Sequence, residues 1–316
     1  MLEYVAAAAP ASPPTDNPVL FWLWTVVLVA WCFFAIGAGR FVKLYRRDSI
    51  VGPERLGHAE SGGVLIAILC LGVASAELLG SLATRLAGDR FSQEGRTVVL
   101  TSIIYGVGFV VLIAFSRLAR GADSAKLGLQ PSRFAIGLLG GAIAFTLIDP
   151  FVQGSNVIVS QIYAHLQEKP PTHEVLKLMG ETKKSWIFWV SCLGAWVLAP
   201  CTEELVFRGM LQTALGRFFA VAGGRGRPHA GSNVLEDQTS PGVAVGTAAG
   251  PRWAAVITTS LLFAAVHGQV AFFVPLFVLS AGLGFLYERT GNLWSTITVH
   301  SLFNLINTLL FLYSTN

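Results

Sequence analysis

Charge is scarce in this chain. Asp, Glu, Lys and Arg together make up 13% of its 316 residues, 53% are hydrophobic, and the mean hydropathy is +0.61. An ordinary soluble domain carries about a quarter charged residues, so that class is excluded. The formal net charge of +4 needs no nucleic acid partner, because the loop charges of a membrane protein account for it. Cysteine is sparse as well. Cys32, Cys70, Cys192 and Cys201 all fall in apolar segments with no CxxC or other metal-ligand spacing, and they read as small core residues. HExxH is missing: the nearest run, His173-Glu174-Val-Leu-Lys177, has Lys where the second imidazole should stand, and it reads as chance. Rhomboid-like Gly-x-Ser-Gly and presenilin-like Gly-x-Gly-Asp are also absent, which excludes those serine and aspartyl chemistries.

Long apolar runs are what the chain has in abundance. A hydrocarbon core about 30 Å thick takes about 20 apolar residues to cross. Such windows recur at 18–39, 62–84, 97–116, 134–152, 186–208, 253–268, 270–287 and 292–313, which predicts an all-α, polytopic transmembrane bundle of about eight spans. The first is expected to be an anchor, since it is longer than a cleaved signal and no Lys or Arg precedes it. Arg40, Lys43, Arg46, Arg47 and Arg55 follow it, which places the N-terminus outside an inner (plasma) membrane and residues 40–61 in the cytoplasm. Alternation then puts Arg117, Arg120, Lys126, Arg133, Arg217, Arg225, Arg227 and Arg252 inside, in agreement with the rule, and Lys169, Lys177, Lys183 and Lys184 outside, against it.

Composition divides the chain further. Residues 1–17 read as a mobile Ala/Pro tail, 18–164 as N-terminal transmembrane helices, 165–185 as a polar loop or surface helix, and 186–316 as a C-terminal group of apolar helices. Within the last, 222–250 has the Gly/Pro/Ser composition of a disordered insert. Asp149-Pro150 is expected to break the apolar stretch 134–164, and Asp149 and Glu77 read as structural polar groups.

Four ionisable side chains inside late spans carry the chemistry: Glu203 and Glu204 in Ala-Pro-Cys-Thr-Glu-Glu-Leu-Val-Phe-Arg-Gly, then His267 and His300. An acidic group at mid-bilayer costs about 2.5–3.5 kcal/mol on insertion scales, so an adjacent pair predicts a polar or wet cavity. Pro200 should kink or restart its helix near Ala199–Cys201, with Thr202 as an N-cap and Glu203 in the first turn. Glu204 and Arg208 are four apart and suited to an ion pair; Glu203 points about 100° away and is the freer carboxylate, able to hold a water. His300 and Asn304 share one helix face, and both can donate hydrogen bonds of the kind an oxyanion requires.

Glu203-Glu204-Leu-Val-Phe207-Arg208-Gly209, Phe263-Ala-Ala-Val-His267 and His300-Ser-Leu-Phe-Asn304 resemble, in this order, the three motifs of the CAAX protease and bacteriocin-processing (CPBP, or ABI) intramembrane proteases. That family includes the Ras-converting type of CAAX prenyl endopeptidase. The resemblance covers about residues 186–313. It implies an endopeptidase whose cavity opens to the cytoplasm, acting on peptide or protein substrates held in or lipid-anchored to the bilayer. It further implies Glu203 as the general base, His267 as a second holder of the water, His300 and Asn304 as oxyanion donors, and Glu204 with Arg208 as orienting groups. Glu203, His267 and His300 are chemically a His₂Glu set of the type that binds catalytic zinc. A metal-independent glutamate mechanism is favoured, with a zinc metalloprotease as the alternative. The competing class is a non-enzymatic membrane scaffold or bacteriocin-immunity protein of the same fold.

Overall fold

A computed structural model describes residues 78, 81–82, 85, 92–118, 127–168, 171–183, 185–222 and 249–314. The expected span 18–39, all of 62–84 but residues 78 and 81–82, the tail 1–17, Glu77, Cys32, Cys70 and nearly all of the insert 222–250 lie outside them. Every regular element among the described residues is helical. We number them α1 (Gln93–Leu118), α2 (Phe134–His165), α3 (Glu174–Glu181), α4 (composite, below), α5 (Ala249–Val266), α6 (Val270–Thr290) and α7 (Leu293–Ser314). Five stretches are long and apolar enough to span a membrane: Gln93–Ala114, Pro131–His165, Trp186–Gly216, Val270–Thr290 and Leu293–Ser314. The expected span at 253–268 is a shorter apolar helix.

α2 runs along both α6 and α7, and α5 packs on α6 and on the C-terminal part of α4. α2 approaches α7 closely because glycines of α2 face it, the device membrane helices use where lipid is as apolar as any side chain. A Cβ on Gly137 would stand 2.6 Å from the Trp294 Cβ, and one on Gly141 would stand 2.5 Å from the Thr298 Cβ and 2.6 Å from the Ser295 carbonyl. Leu205, Met210 and Leu293 are buried at one end of the bundle, Leu279, Leu283 and Val299 in the middle, and Met179, Cys192 and Phe311 at the other. Leu139, Phe151, Ile158, Trp189 and Val270 are exposed, an apolar exterior suited to lipid.

Two proline expectations are corrected. α2 continues through Pro150 as one helix of 32 residues, and Asp149 lies within it, accepting a hydrogen bond from the Gln153 side chain at 3.0 Å. Pro150 is exposed, on the outer side of the helix. Nor does Pro200 restart the fifth apolar segment. Trp186–Leu193, Gly194–Leu198, Ala199–Glu204, Leu205–Gln212 and Thr213–Ala222 follow one another without a break as α4. The second and fourth are wide, π-type turns. The Ala199 N–H reaches back five residues to the Gly194 carbonyl. A wide turn just before Pro200 accommodates its missing donor without ending the helix. Thr202 is accordingly no N-cap: its hydroxyl lies mid-helix and is 2.7 Å from the Tyr105 carbonyl and 2.9 Å from that of Leu198.

Candidate active site

The regular segment Ala199–Glu204 holds the two glutamates between the wide turns, and they meet different partners. Glu204 is fully buried, and its Oε1 accepts from Arg208 Nη1 at 2.9 Å. The same oxygen lies 2.9 Å from His300 Nδ1. Arg208, also fully buried, donates from Nη2 to the Ser280 hydroxyl (2.8 Å) and carbonyl (3.2 Å) and lies 4.9 Å over the Phe263 ring. Two opposite charges removed from water are tolerable only when paired and hydrogen-bonded in this way. The ion pair expected from the four-residue spacing is therefore present.

Glu203 is the less encumbered carboxylate. Its Oε1 accepts from the Tyr105 hydroxyl at 2.9 Å, while Oε2 stands 3.8 Å from His300 Nε2, beyond direct hydrogen-bond length. Its side chain keeps 14% of its surface exposed. Glu203, His267, His300 and Asn304 all line one cavity of about 280 Å³; Glu204 and Arg208 stand behind its wall.

The other polar groups are held from several helices. His267, just beyond α5, has Nδ1 2.7 Å from the Phe263 carbonyl. A carbonyl only accepts, so that nitrogen carries a proton, and Nε2 is the nitrogen that makes no contact with it. Phe263 packs between the two imidazoles, 4.7 Å from His267 and 5.8 Å from His300, and edge-on to Phe207 at 5.0 Å. On α7, Asn304 spends one N–H on the Ala195 carbonyl within the first wide turn of α4, at 2.8 Å. Its second N–H stays available.

Two cavity residues are not legible in the motifs. Tyr105 comes from α1, in a stretch whose sequence shows only apolar character. His173, set aside as part of a chance run, caps α3 by accepting from the Val175 N–H at 3.3 Å and packs on Phe272 at 5.6 Å. Burial holds its imidazole below the ordinary range, with His267 adding to the effect and Glu174 opposing it. An imidazole with no matching HExxH partner was the available signal for His173; Tyr105 had none beyond a lone hydroxyl one turn after Thr101.

His173, Val175 and Leu178 line the cavity at the end of the bundle that carries residues 165–185 and the α5–α6 connection. Alternation put that end outside, whereas the resemblance implied a cavity opening to the cytoplasm.

The zinc alternative fails a test of fit. Among the described residues, no three His, Cys, Asp or Glu side chains are gathered in a way that would hold a metal ion. Glu203, His267 and His300 share the cavity without converging as a ligand set, so no step is routed through a metal.

The family model described as "Rce1-like: Type II CAAX prenyl endopeptidase Rce1-like" matches residues 185–306. No curated protein and no solved structure matches the chain.

Proposed function

We propose that the protein is an intramembrane endopeptidase, taking as premise that residues 185–306 belong to the Rce1-like CAAX protease family. The family implies CAAX endopeptidase activity, which this chain's residues would perform with a glutamate-activated water. The observation that carries the reading is the unequal treatment of two adjacent carboxylates: Glu204 is consumed by Arg208 and His300, and Glu203 keeps one oxygen for the cavity.

A water held between Glu203 Oε2 and the lone pair of His267 Nε2 gives its proton to Glu203 as it attacks the scissile carbonyl. Charge then develops on the carbonyl oxygen. Asn304 donates its free N–H to it, and His300, held at Nδ1 by Glu204, lines the cavity beside it. Glu203 passes the proton to the departing amine. Glu204 and Arg208 never touch substrate and hold His300 and α4 in register. Phe272, Leu276 and Phe303 give the cavity apolar walls, which suits a peptide anchored in the bilayer by a lipid, the substrate class the family description names.

The test is hydrolysis of a quenched fluorescent, prenylated CAAX peptide by the protein in lipid nanodiscs. Wild type is expected to cleave it; Glu203→Gln and His267→Ala, with unchanged melting, are expected to be inactive. Undiminished cleavage by folded Glu203→Gln would end this reading.

A further inference from the structure

Tyr105 lies on α1, well before the stretch that matches the family model, yet it makes the hydrogen bond closest to the reacting carboxylate. Its hydroxyl is 2.9 Å from Glu203 Oε1, and a phenol facing a carboxylate must donate. Its own carbonyl accepts from the Thr202 hydroxyl at 2.7 Å, so one residue of α1 is tied at two points to the two consecutive residues Thr202 and Glu203. The tie to Thr202 sets the height of α1 against α4. The tie to Glu203 acts on one oxygen of the group that faces the cavity.

We propose that Tyr105 is a positioning residue for proteolysis: its phenol pins Oε1 of Glu203 so that Oε2 alone is presented to the attacking water. The inference rests on the reading of Glu203 as base. Without the phenol, the Glu203 side chain is free to rotate about its terminal bonds. Oε1 then competes for the water, or the carboxylate turns toward His300, whose Nε2 stands 3.8 Å from Oε2. A hydrogen bond to a charged group is about twice as strong as a neutral one, enough to select one rotamer. Arg208 does not substitute for it, because its Nη1 is engaged on Oε1 of the neighbouring Glu204, and His300 lies on the side of Oε2. The N-terminal half of the chain thereby supplies part of the active-site geometry.

Tyr105→Phe removes the hydroxyl and keeps the ring. The expected result is a fall in kcat of about 10- to 100-fold with KM within about twofold of wild type, since substrate contacts are untouched. A rise in KM at constant kcat, or wild-type kcat in the folded variant, would overturn the proposal. A second readout needs no turnover. Difference infrared spectra should show the carboxylate stretch that Glu203→Gln abolishes, and Tyr105→Phe should shift it. Should that variant not fold, wild-type protein carrying 3-fluorotyrosine should shift the same band through its more acidic phenol. An unmoved band overturns the proposal. A protein that hydrolyses nothing yet shows the shift would sink the protease reading and leave the tyrosine contact standing.

Discussion

His300 Nδ1 stands 2.9 Å from Oε1 of Glu204, the oxygen that also takes Arg208, so an imidazole of α7 closes the buried ion pair of α4. One carboxylate oxygen thus joins two helices and a guanidinium that is itself tied to Ser280 on α6.

That junction is predicted to be a stability element before it is a catalytic one. Glu204→Gln leaves Arg208 as a buried charge without its counter-ion, and breaking such a pair costs about 3–5 kcal/mol. Unfolding of the single variant in detergent should show a loss of this size. The double variant Glu204→Leu, Arg208→Met should recover much of it, because no uncompensated charge then remains. A single variant as stable as wild type would mean the pair is not buried as described.

The α2–α7 contact should discriminate between glycines. Gly141→Ala drives a methyl group into Thr298 and Ser295 and is expected to cost about 1–3 kcal/mol through overpacking. Gly154→Ala, on the same helix with open space around the added carbon, should be neutral or stabilise by up to about 1 kcal/mol from helix propensity. Thermal melts of the two variants side by side check this; equal effects would contradict the close approach.

Acid should weaken the fold through His173. Burial depresses its folded value, so as pH falls the unfolded chain binds the proton first, near the ordinary value of about 6.5. Stability associated with the neutral ring is therefore complete above that value and declines from there down to the lowered folded value. His173→Asn keeps an N-cap and removes the titration. Melting temperature measured from pH 7.5 to 5 should fall less in the variant than in wild type, and parallel curves would refute the assignment.

Sidedness can be read without activity. Single cysteines at Lys177, beside the cavity, and at Arg289, at the opposite end of α6, should react with a membrane-impermeant maleimide from opposite faces of the bilayer. Labelling of both from one face would mean that the bundle does not span as described.

Much of this was visible in the chain before folding. Apolar length alone places the described spans, because hydrocarbon thickness leaves few alternatives. The pairing of Glu204 with Arg208 follows from their four-residue spacing, and His267 at the end of one apolar run and His300 and Asn304 inside another stand out as costly groups. What stayed hidden were contacts between distant segments. Tyr105 is 98 residues from Glu203, and a tyrosine in an apolar helix is unremarked until its partner is known. The prolines misled for a local reason: propensity argues for a break at Pro150 and Pro200, but in α2 the ring sits on an exposed side, and in α4 a widened turn takes up the defect. Thr202 then had no helix start to cap and turned to a carbonyl of α1 instead.

The widened turns of α4 also change how the distance between Trp186 and Glu203 should be counted. A helix with a π-type turn holds one residue more than its length requires, so its angular phase is offset by about 100° from a regular helix with the same number of residues. Were Gly194–Leu198 to wind as regular helix with its residue count unchanged, both glutamates would swing about 100° away from α1 and α7; deleting one residue there would remove the wide turn and leave them facing as they do. The stretch between Trp186 and the acidic pair can on this account lose one residue and keep the pair's contacts, provided the wide turn is lost with it.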